Sequence, residues 1–562
     1  MTLALVLLAA VAAADCAEYG LPTTVTREAP AVIMTNGHGR VFVDFGKDAF
    51  GWLELVPPAG YTGGVYQLAV SETRHSDFTA DCWNGGTIRQ WYNRETPIPA
   101  GSGVVRVPFR RDARNTNYRH DPPPVKLRPE VGVIMPFRYV EFYRLPFEIT
   151  AASVRRATVH YPVDMNESSF ACSDERLTKV YDFCKYSIFA TTFAGLYVDG
   201  DRERIPYEAD AYINQLGHYA ISSDRALARA THEYLMRHPT WPTEWKQHSV
   251  MIAWADWMWS GSTESLARCY DRLKSEKLLL DRARPDGLLA SKPQDYPGPD
   301  KTDDIVDWPP RDRDGYVFST ASAVINAFHY RNLNEMAEMA RALGKTDDAA
   351  AFAARAEKVK AAYLRTFRDP ADGFVRDGEG TDHKGFHANA LALAFGLVPE
   401  ADRAKIADGL VARGMVCSVY FAQYYLEALF ATGRDAEAIA LMTSDSNRSW
   451  LGMLRQGATI TMEAWNMDDK PNLDWNHAWG TPPLNLIARF VLGVTPLEPG
   501  FAKVSVKPQV GSLKEVRGTV PTPRGPVRVE VKDGRLTVDV PTPARVTWRG
   551  QTREVPAGRI VL

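Results

Sequence analysis

From about residue 170 to 495 the apolar positions keep a helical spacing, whereas before and after that stretch they alternate. After Ser173, a suitable N-cap, Leu177, Val180, Tyr181, Cys184 and Ile188 fall on one helical face. "ARALGK" closes one helix and "DDAAAFAARAEKVKAAYLRTF" supplies the next. "FHANALALAFGL", "SVYFAQYYLEALFATG" and "TPPLNLIARFVLG" follow. Helices in such succession, joined by short loops and without a sequence repeat, must bury their apolar stripes on one another. The middle of the chain is therefore expected to form paired helices in a toroid.

The flanks differ. Residues 20–165 predict an N-terminal β-sandwich domain. "GRVFVDFGKDAFGWLELVPP" alternates at Val41, Val43 and Phe45 and then predicts a turn at Gly46, and "GVYQLAVSET", "GVVRVPFR" and "FRYVEFYRLP" keep the same period of two. The Pro-rich polar stretch 111–130 predicts a long loop. Residues 496–562 predict a small C-terminal β-sandwich domain, because "VRVEVKDGRLTVDV" places Asp533-Gly534 between two alternating runs. A chain of 562 residues exceeds one ordinary core, so a multidomain protein is expected, with residues 166–495 as its helical domain.

The start is apolar from Leu3 to Ala14, too short to span a bilayer and of signal h-region length, with small residues Ala12 and Ala14 before Asp15. A charged n-region is missing. Residues 1–14 predict a signal peptide, and hence a secreted or periplasmic protein with no membrane partner once it is removed. A net charge of −2 gives no electrostatic case for nucleic acid. The six cysteines are scattered without a CxxC, so neither a zinc site nor a disulfide framework is indicated, while one or two disulfides and free buried thiols both stay open. Ten of the 14 tryptophans lie between Trp241 and Trp479, which suits an aromatic helical core and equally a sugar-binding cleft.

Two stretches carry candidate chemistry. The first is "VDGDRERIPYEADAY", residues 198–212. Pro206 suits the first turn of a helix, so a helix is expected to start near Ile205, leaving Asp199, Asp201, Arg202 and Glu203 in the loop before it and Asp210 about one turn in. Taken alone, this is a solvated loop whose acids pair with Arg202 and Arg204. The second is "GATITMEAWNMDDKPNLDWNHAWGTPP". Glu463 stands among apolar and aromatic neighbours, where a carboxylate needs a partner or a function, with Trp465, His477 and Trp479 close in sequence.

The two stretches together resemble glycoside hydrolase family 78, the bacterial α-L-rhamnosidases. "RERIPYEAD" is similar to the family's R-E-R-x-x-(W/Y)-x-x-D motif, and "GATITMEAWNM…NLDWNHAWG" to its G-A-T-x-x-x-E-x-W…N-H-x-x-G block, through Gly457, Ala458, Thr459, Glu463, Trp465, Asn476, His477 and Gly480. "DFGKDAFGWLEL", "MPFRYVEFY", "ALALAFGLVP" and "LGVTPLEPGFAKVSVKP" resemble further landmarks in order. The chain departs from the pattern in its lead-in, where "DGDRE" stands for D-C-P-x-R-x-E, and in Val306, which replaces the glycine of a G-D-W segment at Asp307-Trp308.

The resemblance implies an (α/α)6 barrel catalytic domain and an inverting glycosidase that releases terminal α-L-rhamnose, or a relative such as L-mannose or L-lyxose, from oligosaccharides, polysaccharide fragments or glycosides, and the short N-terminal β domain without a large insert points to exo action. Carried over, Glu203 is the general acid and Glu463 the general base, and the acid must hold its proton near neutral pH. An inverting site separates its carboxyls by roughly 6.5 to 9.5 Å to admit a water. Asp199 or Asp201, Arg202, Asp210 and His477 are the expected sugar binders and Trp308, Trp465 and Trp479 the walls, with His387 a weaker candidate. At least one of Arg202 and Arg204 should be turned away or tied to an aspartate. The scheme requires no metal and no cofactor, and carbohydrate is the expected partner. A helical-toroid polysaccharide lyase and a non-catalytic carbohydrate-binding protein are the rival readings.

Overall fold

The computed structural model describes residues 19–81, 89–292 and 302–562. The expected signal peptide at 1–14, Cys16 and Cys82 lie outside them. Cys172, Cys184, Cys269 and Cys417 are free thiols. The chain divides into two compact units. The first gathers the described residues up to Val163 with Tyr186–Pro206 and Gly452–Gly480; the second holds Asp164–Lys185, Tyr207–Leu451 and Thr481–Leu562.

The first unit is built on an antiparallel sheet, in the order Thr24–Glu28, Val154–His160, Val41–Leu55, Met135–Arg144, Gly64–Ser71, Gln90–Tyr92, with Val32–Thr35, Thr96–Ile98 and Val105–Arg106 paired beside that path. Val41–Leu55 is one continuous strand, so the turn expected at Gly46 does not occur. The register shifts instead between Asp44 and Ala49 as a bulge. Gly46 takes φ 83°, and its N–H donates to Asp44 Oδ1 at 2.6 Å. Arg138 grips the same carboxylate through two bonds of 2.7 and 2.9 Å. Arg156, fully buried, donates to the carbonyls of Lys47 and Phe137 and so fastens the bulge to the next strand. "GVVRVPFR" contributes only Val105–Arg106 to the sheet, because Pro108 has no N–H to donate. As expected, no strand or helix forms in 111–130.

The second unit is helical with a β end. Glu208–Ile221 packs on Thr243–Ser260, that on Ala323–Ala342, that on Phe386–Ala394, and that on Ala422–Ala431. Pro482–Leu486 packs on both Ala422–Ala431 and Glu208–Ile221, so the succession returns to its start. Every residue of Glu208–Ile221 is buried, as befits a helix enclosed on all sides. That helix starts at Glu208, not near Ile205, because Ile205 is bonded back to Asp199 and Tyr207 is extended (φ −120°, ψ 144°). Its predecessor starts at Glu175, and Asp174, whose carboxylate accepts the N–H of Arg176 at 2.9 Å, does the capping expected of Ser173. The expected hairpin forms, pairing Val527–Lys532 with Arg535–Val540 around Asp533 (φ 49°) and Gly534 (φ 75°). Ser169–Cys172 joins the same sheet beside Val516–Val520, and a second sheet runs Val494–Pro496, Val504–Val506, Ala544–Trp548, Gln551–Val555.

Four histidines sit deep among these helices. Burial first, and then the nearby cations Arg225, Lys277, Arg331 and Arg355, bring His218, His232, His248 and His329 down to about 3. They stay neutral when folded but protonate below about 6.5 when unfolded. Their contribution to stability is thus present above that pH and is lost as pH falls toward 3, at up to about 1.4 kcal/mol per pH unit for each histidine. We expect the melting temperature to fall steadily from pH 7 to pH 5. Neither ring nitrogen of His329 has a hydrogen-bond partner among the described residues. His329→Leu should therefore raise stability by about 1 to 3 kcal/mol and make the acid slope shallower. Calorimetry at both pH values checks this, and an unchanged slope in the variant would contradict it.

Candidate functional site

The loop from Asp199 to Ile205 is closed by its own ends. Asp199 N–H donates to the Ile205 carbonyl at 2.9 Å, and Ile205 N–H returns a bond of 2.9 Å to Asp199 Oδ1. Two backbone positions inside it are unusual. Gly200 has φ 145°, and a Cβ there would lie 2.9 Å from Asp474 Oδ2 and 3.0 Å from Asn476 Oδ1, so only glycine fits. Arg204 takes φ 56°, an uncommon conformation for a residue with a side chain, and its guanidinium is tied to Asp201 Oδ1 at 2.7 and 3.0 Å. Asp201 also pairs with Arg89, and its N–H donates to Asn476 Oδ1 at 2.8 Å. Asn476 in turn donates to Glu72 at 2.6 Å. Glu72 and its neighbour Asp48 are both pushed upward, burial being the first cause. One of the two loop arginines is thus bound to an aspartate, as expected, and Asp201 is an anchor with both oxygens engaged.

The other arginine faces the candidate chemistry. Arg202 grips Glu463 with two bonds, Nη1 to Oε2 at 3.0 Å and Nη2 to Oε1 at 3.2 Å, and its Nε donates to Glu203 Oε1 at 3.3 Å. A single guanidinium therefore joins the two glutamates that the sequence paired across 260 positions. Their surroundings differ: the Glu203 side chain is 36% exposed and that of Glu463 3%. Lys470 adds a contact of 3.1 Å to Glu463. Burial works upward on Glu463, but Arg202, His477 and Lys470 outweigh it and hold the carboxyl well below its ordinary range.

Glu463 stands where it does because residues 461–463 and 474–477 pair. Thr461 and His477 bond through their backbones at 2.8 Å, Glu463 N–H donates to the Asp474 carbonyl at 2.9 Å, and Asp474 N–H donates to Glu463 Oε2 at 3.0 Å. The indole of Trp479 donates to the Glu463 carbonyl at 3.0 Å. Asp474 was not singled out from the sequence. It is fully buried, and neither carboxylate oxygen has a hydrogen-bond partner among the described residues. Burial and the charge of Glu463 push it above its ordinary range against the pull of Arg202. The signal was available, since Asp474 lies between Leu473 and Trp475 just as Glu463 lies between Met462 and Ala464. Lys470 and Arg89 carried no comparable signal.

The remaining expected residues divide. His477 is in the first unit, its ring 4.7 Å from that of Trp479, and Trp465 and Trp479 are both buried. Asp210, buried in the first turn of Glu208–Ile221, and the half-buried Trp308 belong to the second unit. Asp307 there accepts from His387 at 2.8 Å and from the backbone N–H groups of Trp308 and Ser418 at 2.8 and 2.9 Å, which accounts for the burial of His387. Val306, where the resemblance expects glycine, has φ 64°, and Glu244 clasps the N–H groups of Ile305 and Val306 at 2.9 Å each. That clasp holds a β-branched residue in a conformation glycine would adopt freely.

Donor atoms of Glu463, Asp474 and His477 lie within 4.8 Å of one another, a spacing that suits a metal ion. Both Glu463 oxygens already accept from Arg202, with Lys470 beside them, so a cation there would compete with two side-chain cations. Among the described residues no helix is long and apolar enough to cross a membrane.

Comparison with known proteins bears on the family and the fold. The family model for the bacterial α-L-rhamnosidase six-hairpin glycosidase domain matches residues 165–491, and that for the bacterial α-L-rhamnosidase C-terminal domain matches residues 493–549. Two curated relatives are α-L-rhamnosidases. That of Alteromonas sp. (strain LOR) is 29% identical over 231 residues, covering 37% of this chain and 24% of the relative. That of Formosa agariphila is 26% identical over 243 residues, covering 40% and 26%. The matched region is therefore about a quarter of either relative's length. Among solved structures, the α-L-rhamnosidase of Dictyoglumus thermophilum superimposes with a TM-score of 0.74 at 18% identity over 97% of this chain and 64% of that one. The Streptomyces avermitilis α-L-rhamnosidase complexed with L-rhamnose gives 0.75 at 18% identity, covering 97% and 54%. These likenesses establish a shared fold, with N-terminal β sheets, a central helical region and a C-terminal β region. With more than half of its 562 residues matched by the six-hairpin model, this chain belongs to the bacterial α-L-rhamnosidase six-hairpin glycosidase family.

Proposed function

We propose that this chain is an inverting exo-α-L-rhamnosidase in which Glu203 is the general acid and Glu463 the general base. We further propose that residues 166–495 form an (α/α)6 barrel, flanked by β-sandwich domains at 20–165 and 496–562. The reading is carried by one observation: a single guanidinium, that of Arg202, contacts both Glu203 and Glu463. Two carboxyls so held are near enough to flank one bond without touching each other. In an inverting site one protonates the leaving oxygen while the other takes a proton from water on the opposite face of the sugar, across roughly 6.5 to 9.5 Å. The contrast in exposure suits those roles. An exo enzyme buries the terminal sugar and leaves the departing group outside, so the acid belongs on the open side and the base at depth. The solved relative with L-rhamnose bound supports rhamnose as the sugar.

Arg202 and Lys470 keep Glu463 ionised, and in doing so they weaken it as a base. Asp474 opposes them. Once ionised, its charge raises the proton affinity of Glu463. Activity should therefore rise as Asp474 loses its proton, above the ordinary carboxylate range of about 4, and stay high at higher pH. Asp474→Asn should lower kcat and move this acid limb to lower pH. A profile of kcat/KM from acidic to neutral pH decides it, and a limb unmoved by the substitution would remove Asp474 from the scheme.

The central roles are tested by turnover of an aryl α-L-rhamnoside. Glu203→Gln and Glu463→Gln should each lose about 100- to 10,000-fold in kcat, and undiminished activity in both would sink the assignment. Proton NMR of the first-formed sugar should show β-rhamnose from the α-glycoside. Retention of configuration would rule out direct attack by water.

A further inference from the structure

A groove of about 1370 Å³ lies on the first unit, between the strand Gln90–Tyr92 and the loop that leads to Met135. Eight arginine and lysine side chains line it against one carboxylate, Asp112. Some of this charge is neutralised within the protein. Arg89 and Arg114 pair with Asp112, and Arg89 and Arg204 pair with Asp201. Arg94, Arg110 and Arg111 are exposed, and no carboxylate pairs with them among the described residues. Like charges lining one concavity repel one another and focus a positive potential into it, an arrangement that stores affinity for an anion. Guanidinium forks match carboxylate and sulfate oxygens in pairs. The half-buried ring of Trp91 and the exposed ring of Tyr118 lie along the same surface and offer apolar faces to sugar rings.

The groove and the acid loop share a wall. Arg204, next in sequence to Glu203, lines the groove while its guanidinium holds Asp201 and the Ile134 carbonyl. Asn115, also in the lining, donates to the Asp201 carbonyl at 2.6 Å. Val125 N–H donates to the Arg204 carbonyl at 2.9 Å. A chain passing along the groove therefore lies against the reverse of the segment that presents Glu203.

We propose that this groove binds anionic sugar residues, carrying carboxylate or sulfate, of the glycan whose terminal sugar is cleaved. The inference rests on the function proposed above and narrows its substrate to acidic glycans. Nucleic acid is the weaker occupant, because the chain as a whole carries a net charge of −2.

Binding of the full chain to sodium polygalacturonate, dextran sulfate, neutral dextran and single-stranded DNA, by affinity electrophoresis and titration calorimetry, tests the proposal. Binding to one or both acidic polysaccharides, weakening with added salt and absent for dextran, is expected, and the stronger of the two identifies the anionic group. The double variant Arg110→Glu/Arg111→Glu should weaken that binding by about tenfold or more. Tighter binding to DNA than to either polysaccharide, equal binding to dextran, or undiminished binding by the double variant would overturn the proposal. Hydrolysis of a small neutral aryl α-L-rhamnoside is followed in parallel. Turnover without polyanion binding defeats the groove and leaves the glycosidase reading standing. Polyanion binding without turnover does the reverse.

Discussion

Two guanidinium groups converge on one buried carboxylate, Asp201, and much of the first unit's local geometry follows from that. Burying a carboxylate is costly, and it is tolerated only where the partners and hydrogen bonds are complete. Here Arg89, from a distant stretch of the chain, and Arg204, three residues on, supply the counter-charge, while the Asn476 side chain accepts the Asp201 N–H. Removing the carboxylate would leave the buried Arg204 without its counter-charge and Arg89 with Asp112 alone, a loss of the order of 3 to 5 kcal/mol. The same grip holds Arg204 at its positive φ and so sets the turn that carries Arg202 and Glu203 to the other side. One ion cluster thus anchors the acid loop on one face and lines the basic groove on the other.

The sequence made the layers legible, because their signals are local. Period-two runs became strands, helical runs became helices, and Asp533-Gly534 became a hairpin turn. Errors arose where the deciding contact was distant. Gly46 reads as a turn, yet Arg156 and Arg138 reach across from neighbouring strands and convert it into a bulge. Pro206 reads as a helix start, yet the bridge from Asp199 to Ile205 delays the helix to Glu208. For the site, the pairing of Glu203 with Glu463 was legible only through the resemblance, since no local pattern links positions 260 apart. Asp474 carries the same apolar context as Glu463, a local signal too weak by itself to mark it. Arg89, which completes the Asp201 cluster, stands in a stretch with no pattern to mark it.

The cluster around Glu463 shows how a buried carboxylate can be kept charged. Arg202 and Lys470 alone would make it a poor proton acceptor, and burial alone would neutralise it. Asp474 places a second carboxyl beside it, fixed by the bond from Glu463 N–H to the Asp474 carbonyl and by the return bond from Asp474 N–H to Glu463 Oε2. Gly200 completes the arrangement, since a side chain there would strike Asp474 Oδ2 and drive the loop Asp199–Ile205 away from the segment that carries Glu463. The glycine in "DGDRE", read from sequence as part of a divergent lead-in, is therefore a packing requirement. It allows the loop that carries Glu203 and the segment that carries Glu463 and Asp474 to approach closely enough for one arginine to span both glutamates.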